Sequence, residues 1–184
     1  IRRIDSSNFV AKLEGRDAKV RDEYVIYSAH WDHFGFGPEV NGDQIYNGAR
    51  DNATGVAGIM EIARAFAGAK PRPRRSVLLL SVTGEEQGLL GARYYAENPL
   101  YPLDKTLAVI NLDVTNTRGR TRDLAVVGLG MTSLDDDIIQ AAREQGRVVT
   151  PDPEPEKGYY FRSDHFEFAK QGVPALDPKD GVED

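Results

Sequence analysis

The run Ser76-Val77-Leu78-Leu79-Leu80-Ser81-Val82, followed at once by Thr83-Gly84-Glu85-Glu86-Gln87-Gly88, decides the fold. A continuous apolar run of this length reads as a strand buried on both faces, the mark of an inner strand in a parallel sheet. Upstream, Tyr24 to Ala29 is a second short apolar run, ending at His30. Downstream, Leu107 to Leu112 and Leu124 to Val127 read as strands, and Val173 to Leu176 as a last short one. Between them, Val56, Ile59, Met60, Ala63 and Phe66 recur at three- and four-residue spacing, which predicts a helix over Thr54 to Ala67 with one buried stripe. Leu89 to Glu97 and Leu134 to Gln145 read as further helices, the second with Asp135 to Asp137 at its positive N-terminal end. Pro151 to Gly158 reads as an extended loop. Alternating strands and helices give an α/β fold, and a doubly wound sheet brings the carboxyl ends of its strands to one edge.

That edge is where the chemistry of this sequence collects. His30, Asp51, Glu85, Glu86 and Asp113 each stand at or just after an apolar run or a glycine-punctuated turn, as a metal-dependent hydrolase would have them. His30 and Asp32, two apart at a strand end, are expected to face the same way, with the Asp32 carboxylate behind the imidazole. His33 falls on the opposite face by the same alternation and is given no ligand role. Asp51-Asn52-Ala53-Thr54-Gly55 precedes a helix, where Asn52 and Thr54 suit capping of free amides. Glu85 and Glu86 admit two readings. They are ordinary acids at a helix start, or one binds a cation while the other takes a proton from water. Asp113, closing Leu107 to Asp113, is unremarkable alone.

Composition narrows the field. With 184 residues and 40% apolar content, the chain is long enough for one domain with its own core. A formal charge of −6 argues against a nucleic-acid or anionic-membrane surface. The basic cluster Arg72, Arg74 and Arg75, broken by Pro71 and Pro73, reads as a solvated loop. No cysteine is present, so disulfides, thiolate zinc sites and cysteine nucleophiles are excluded. No run of about 18 apolar residues occurs, so no membrane span is expected. The opening Ile1-Arg2-Arg3 reads as a point where a leader or preceding domain was removed.

Taken in order, H-x-D from His30, G-x-x-D-N-A-T-G from Gly48, T-G-E-E-Q-G-L-L-G from Thr83, N-L-D from Asn111 and R-S-D-H-F from Arg162 resemble the co-catalytic di-zinc aminopeptidase family. Its relatives include glutamate carboxypeptidase and the glutaminyl cyclases. The resemblance runs from about Tyr24 to Leu176. It implies a mixed, mostly parallel sheet sandwiched between helices. It also implies two zinc ions, with His30 and Asp113 on one, Glu86 on the other and Asp51 bridging. Glu85 is implied as general base, Asp32 as the residue that orients His30, and the peptide after Asp51 as cis. Tyr160, Ser163, Asp164 and His165 match a segment near the substrate pocket. The implied substrate is a peptide or protein with a free N-terminus, and the implied location secreted or periplasmic; oligomeric state is not legible.

One departure shapes the expectations. The family takes a last histidine ligand, beside the Glu86 zinc, from beyond the G-V-P-A-L strand, and nothing after Leu176 here supplies one. A shortened chain, a stretch missing before Gly181 and recruitment of His165 all stay open. Residues 1–184 are therefore expected to form a single peptidase domain, shortened at its C-terminus, with one well-held zinc, a weak second site and low activity. Two alternatives are a glutaminyl-cyclase-like acyltransferase using one zinc, and a catalytically silent or engineered scaffold with an incomplete metal site.

Overall fold

The computed structural model describes residues 4–117 and 119–181, so Ile1-Arg2-Arg3 lies outside the described residues. The strands are β1 (Phe9–Leu13), β2 (Tyr24–His30), β3 (Gly35–Val40), β4 (Asp43–Tyr46), β5 (Ser76–Val82), β6 (Thr106–Asn111), β7 (Asp123–Val127), β8 (Val148–Pro151) and β9 (Ala175–Asp180). The helices are α1 (Ala53–Gly68), α2 (Leu90–Glu97), α3 (Asp135–Glu144) and α4 (His165–Ala169). Seven strands form one sheet in the order β1-β5-β2-β6-β9-β7-β8, and β3 and β4 form a separate hairpin. The central β5, β2, β6 and β9 run parallel, as do β7 and β8, while β1 is antiparallel to β5 and β7 to β9. This is the mixed, mostly parallel sheet of the α/β expectation.

Strand alternation assigns the two helical layers. Tyr24 and Ile26 share a face with Leu78, Leu80 and Val82, and that face packs against Ala92 and Tyr95 of α2 and Phe168 of α4. The rings of Tyr95 and Phe168 lie 6.0 Å apart. Tyr27 points the other way and meets Phe66 of α1 at 5.8 Å between ring centroids. Within α1 the buried positions are Gly55 and Ile59. Met60, placed on the buried stripe by spacing, is 66% exposed, because the stripe that meets the sheet is narrower than the apolar pattern.

Parallel pairing puts the ends of β2, β5 and β6 on one edge. The His30 to Val82 register marks that edge, and Trp31 N–H still donates to Val82 O at 2.9 Å one residue later. Glu85 and Glu86 lie in a turn, not on a helix: α2 starts only at Leu90, after Gly84 and Gly88 have turned the chain through positive φ. The last strand is displaced from its expected span of 173–176. It begins at Ala175, pairs with β6 through Ala175 and Leu176, then continues to Asp180 against β7. Of the expected loop 151–158, Pro151 instead ends β8 and Pro155–Lys157 form a 3-10 turn. Arg74 and Arg75 are engaged with Asp17 and Glu23.

Candidate metal centre

His30 closes β2, is fully buried, and directs Nε2 to Oδ1 of Asp51 at 3.0 Å and to Oδ1 of Asp113 at 3.4 Å. Its other nitrogen, Nδ1, lies 3.1 Å from the main-chain oxygen of Asp32. A carbonyl only accepts, so this contact places a proton on Nδ1 and turns Nε2 toward the carboxylates. The orienting group is therefore the Asp32 carbonyl. The Asp32 carboxylate, expected in that role, stands 3.9 Å from Nδ1 and accepts from Glu85 N–H at 3.4 Å. The reason is that β2 stops at His30, so strand alternation no longer governs Asp32.

Asn52 brings Asp51 and Asp113 together. Its side-chain amide donates to Leu112 O at 2.9 Å, and its oxygen accepts from Gly55 N–H at 3.0 Å and Val114 N–H at 3.1 Å. One side chain thus caps α1 and pins that helix start to the end of β6. Gly55 permits the approach, since a Cβ there would meet Leu112 O at 2.2 Å. The Asp51–Asn52 peptide is cis, as the resemblance implies.

Asp113 is held from behind. Its Oδ2 accepts from Ser163 Oγ at 2.7 Å and lies 3.4 Å from Lys179 Nζ, which leaves Oδ1 facing His30. Ser163 in turn accepts from Asn111 Nδ2 at 2.8 Å, and Asn111 Oδ1 accepts from Ser28 Oγ at 2.8 Å. This buried chain ties β2, the end of β6 and the segment before α4 to one carboxylate.

A second group of donors adjoins the first. His33 Nδ1, Asp51 and Glu86 offer ligand atoms within 4.8 Å of one another, as do His30, Asp51 and Asp113, so Asp51 belongs to both groups. His33 Nδ1 stands 2.5 Å from Glu86 Oε1. Two expectations are corrected here: His33 lies on the site side, and the Glu86 group does not lack an imidazole among the described residues. The signal was the end of the strand at His30, past which strand alternation no longer places a side chain. Arg50, beside the shared aspartate, is an exposed residue lining the adjacent cavity and belongs to neither group.

Nε2 of His30, Oδ1 of Asp51, Nδ1 of His33 and Oε1 of Glu86 are all buried without a hydrogen-bond partner. Buried polar atoms are nearly always satisfied, so four in one cluster call for a common partner. Nitrogen and carboxylate oxygen suit zinc, and bonds of about 2.1 Å at tetrahedral angles put neighbouring donors roughly 3.4 Å apart. The His30 group, at 3.0 and 3.4 Å, fits that demand, whereas the His33 and Glu86 atoms stand closer, at 2.5 Å. Electrostatics agree. Burial alone would lower the His30 pKa, but Asp113 and Asp51 outweigh it and push it up to about 11, so the carboxylates demand positive charge at this point. Asp113 is held well below the usual carboxylate range, His30, Lys179 and Ser163 outweighing its burial.

Glu85 lines a cavity of about 1020 Å³ that opens beside both donor groups. Burial pushes its pKa up to about 7, with Asp113, Glu86 and Asp51 adding and His30 opposing. Of the four residues expected near a substrate pocket, Ser163 lines this cavity, together with Phe161, Arg162 and Phe166. Asp164 and His165 are fully buried and do not line it, and Tyr160 packs edge-on to His165 at 5.0 Å. His165 Nδ1 lies 3.9 Å from Asp177 and enters neither donor group, so it is not the recruited ligand.

A family model described as Peptidase family M28 matches residues 8–183. A "Probable zinc metalloprotease" of Pyrenophora tritici-repentis is 36% identical over 112 residues, covering 60% of this chain and 24% of its own length. "Aminopeptidase NAALADL1" of Mus musculus is 34% identical over 115 residues, covering 60% of this chain and 14% of its own. This chain thus spans a quarter or less of these relatives. Among solved structures, BSAP, a zinc aminopeptidase from Bacillus subtilis, superposes with a TM-score of 0.71 at 22% identity, over 94% of this chain and 39% of that one. The glutaminyl cyclase of Porphyromonas gingivalis gives 0.69 at 21% identity, over 94% and 62%. At these identities the two structures share the fold.

Proposed function

The chain belongs to peptidase family M28, and on that premise we propose that it is the catalytic domain of a zinc aminopeptidase, hydrolysing the peptide bond after a free N-terminal residue. The observation that carries the reading is the pair of donor groups sharing Asp51 at the mouth of a cavity lined by Glu85. His30, Asp51 and Asp113 would hold one zinc, and Asp51 and Glu86 would hold the second. Bound there, zinc supplies Lewis-acid polarisation of the scissile carbonyl and lowers the pKa of attacking water.

The protein's own part is positioning and proton transfer. Glu85 follows β5 by three residues and faces the same cluster as the ligands without being one of their donor groups. With a pKa near 7 it takes a proton from the attacking water and returns it to the leaving amine. Asn52 and the Ser28–Asn111–Ser163 chain fix the carboxylates, so no reorganisation is needed when charge develops. The cavity admits an extended peptide, and its wall carries Phe161, Phe166 and Arg162 for the side chain. A secreted or periplasmic location belongs to the same reading through the family resemblance. Among the described residues, no helix is long and apolar enough to cross a membrane.

Two donor groups favour this reading over a single-zinc acyltransferase. The test is zinc analysis of the dialysed protein paired with rates on aminoacyl anilides and on N-terminal glutaminyl peptides. Bound zinc with anilide hydrolysis supports it. Cyclisation with a single zinc, or zinc-free protein without turnover, overturns it.

A further inference from the structure

Resting on the aminopeptidase reading above, we infer that a second pocket, contiguous with the catalytic cavity and flanked by Arg120 and Arg147, binds a carboxylate of the substrate. The peptides favoured are then those with a free C-terminus or an acidic side chain a short way beyond the N-terminal residue. The pocket encloses about 310 Å³. Arg120, Thr121 and Lys179 line both it and the catalytic cavity, so one ligand can reach into the two.

The strands at this side of the sheet bring the cations together. Gly146, in the left-handed conformation with φ of +69°, follows α3, and Arg147 N–H donates back to Ala142 O at 2.8 Å. Arg147 thereby stands just before β8, whose Val148 pairs with Asp123 of β7. Its Nη2 donates to Thr121 Oγ1 at 2.7 Å and to Asp123 O at 2.6 Å, which fixes the guanidinium against the start of β7. Nε is left buried and without a partner. Arg120 comes from the loop between β6 and β7, and its Nη2 lies 3.8 Å from where a Cβ on Gly146 would stand. Lys179 enters from β9, where it pairs with Ala125 of β7.

Charge decides what such a pocket takes. Lys179 is committed to Asp113 and Asp177. Neither Arg120 nor Arg147 has an ion-pair partner among the described residues, and no carboxylate among them lines the pocket. The negative end of α3 favours cations nearby, yet it supplies no acceptor to Nε of Arg147. Leu112, Leu124 and Pro178 make the wall apolar, where an unpaired cation is costly and a carboxylate received by Nε forms a charge-assisted hydrogen bond. The catalytic cavity has the opposite character at the metal centre, with Asp51, Glu85, Glu86 and Asp113. A short peptide with its amino group toward the acids and its carboxylate toward the arginines matches both ends.

The experiment has two arms, each run on wild type, Arg120→Gln and Arg147→Gln. Metal-stripped protein is titrated with glutarate while the arginine Nε–H resonances are followed. Zinc-loaded protein is assayed on Leu-Gly-Gly, on its C-terminal amide and on Leu-Gly-Glu amide. Glutarate should move the wild-type Arg147 Nε–H resonance, a readout that needs neither zinc nor a variant that folds. The Leu-Gly-Gly amide should have a KM about 10–100-fold above that of the peptide carrying the recognised carboxylate, the worth of a hydrogen bond to a charged group. Preference for Leu-Gly-Gly names the C-terminus as that carboxylate, and preference for Leu-Gly-Glu amide names the side chain. In each variant the ratio should fall toward one. An unmoved resonance, or equal KM for all three peptides in wild type, overturns the inference. A resonance that sulfate moves as readily, with equal KM values, marks an adventitious ion only and overturns it too. Zinc-loaded wild type that hydrolyses none of the three overturns the aminopeptidase reading itself, and the glutarate arm then judges the pocket alone.

Discussion

Lys179 Nζ donates to the main-chain oxygen of Asp113 at 2.6 Å and stands 3.4 Å from the Oδ2 of the same residue. The lysine reaches this point because β9 continues past Leu176, and it also lies 3.1 Å from the buried Asp177. A cation behind a ligating carboxylate neutralises the oxygen that faces away from the metal and leaves the other to bind.

Lys179→Met should therefore loosen the His30 site more than it destabilises the fold. Asp177, whose pKa burial already pushes up to about 7, takes up a proton instead of remaining an orphan anion. The stability loss should stay near 1–3 kcal/mol, the usual cost of an unsatisfied buried group. Zinc affinity at one site should fall about 10–100-fold. Calorimetry and urea denaturation check the two numbers, and Lys179→Arg should recover most of the affinity.

Glu85→Gln and Glu86→Gln should part company. Glu85 lines the cavity outside both donor groups, and removing a general base costs about 10²–10⁴-fold in turnover while zinc content stays at the wild-type value. Glu86 contributes a donor, so its amide should lower zinc content first and activity as a consequence. Parallel zinc analysis and anilide rates decide it, and equal zinc loss in both variants would reverse the assignment.

Chelation should unfold the protein at lower temperature. Without zinc, three carboxylates and two imidazoles converge with unsatisfied atoms, and a ligand that binds only the folded state adds RT ln(1 + [L]/Kd), about 2.7 kcal/mol at one hundred times Kd. Thermal scans with excess zinc and with chelator should differ by several degrees, the difference growing with free zinc.

Much of this site was legible because strands buried on both faces leave continuous apolar runs, and the residues just after them face one edge. The runs ending near His30, Val82 and Asn111 located His30, Glu85, Glu86 and Asp113. What escaped reading lies where strand logic stops. His33 and the Asp32 carbonyl sit in the irregular link between β2 and β3, and β3 and β4 are exposed and show no alternation. The far half of β9 reads Asp177-Pro178-Lys179-Asp180, charged and proline-bearing, which argues against a central strand. Proline is tolerated there because the pairing with β6 has ended at Leu176, so no ladder bond is required on that side. Lys179 was invisible for the same reason.

The last prediction concerns acid stability and His165. This imidazole is fully buried, and burial, aided by Lys179, brings its pKa down to about 3, against 6.5 for the free side chain. Between those values the unfolded chain carries a proton that the folded chain does not, so stability is present in full above about pH 6.5 and is lost as pH falls toward 3. Asp177 acts in the opposite sense. Its pKa is raised from 3.8 to about 7, so it favours the folded state fully below 3.8 and loses that contribution as pH rises through 7. From pH 3.8 to 6.5 the two slopes offset each other, and the pair leaves the wild type nearly flat. Replacing His165 by Gln removes one slope and exposes the other. In metal-free protein, His165→Gln should gain on the wild type as pH falls from 6.5 to 4, at up to about 1.4 kcal/mol per pH unit. Urea denaturation of both proteins across that range measures the difference, and a difference that does not change with pH would mean His165 takes its proton in the folded state.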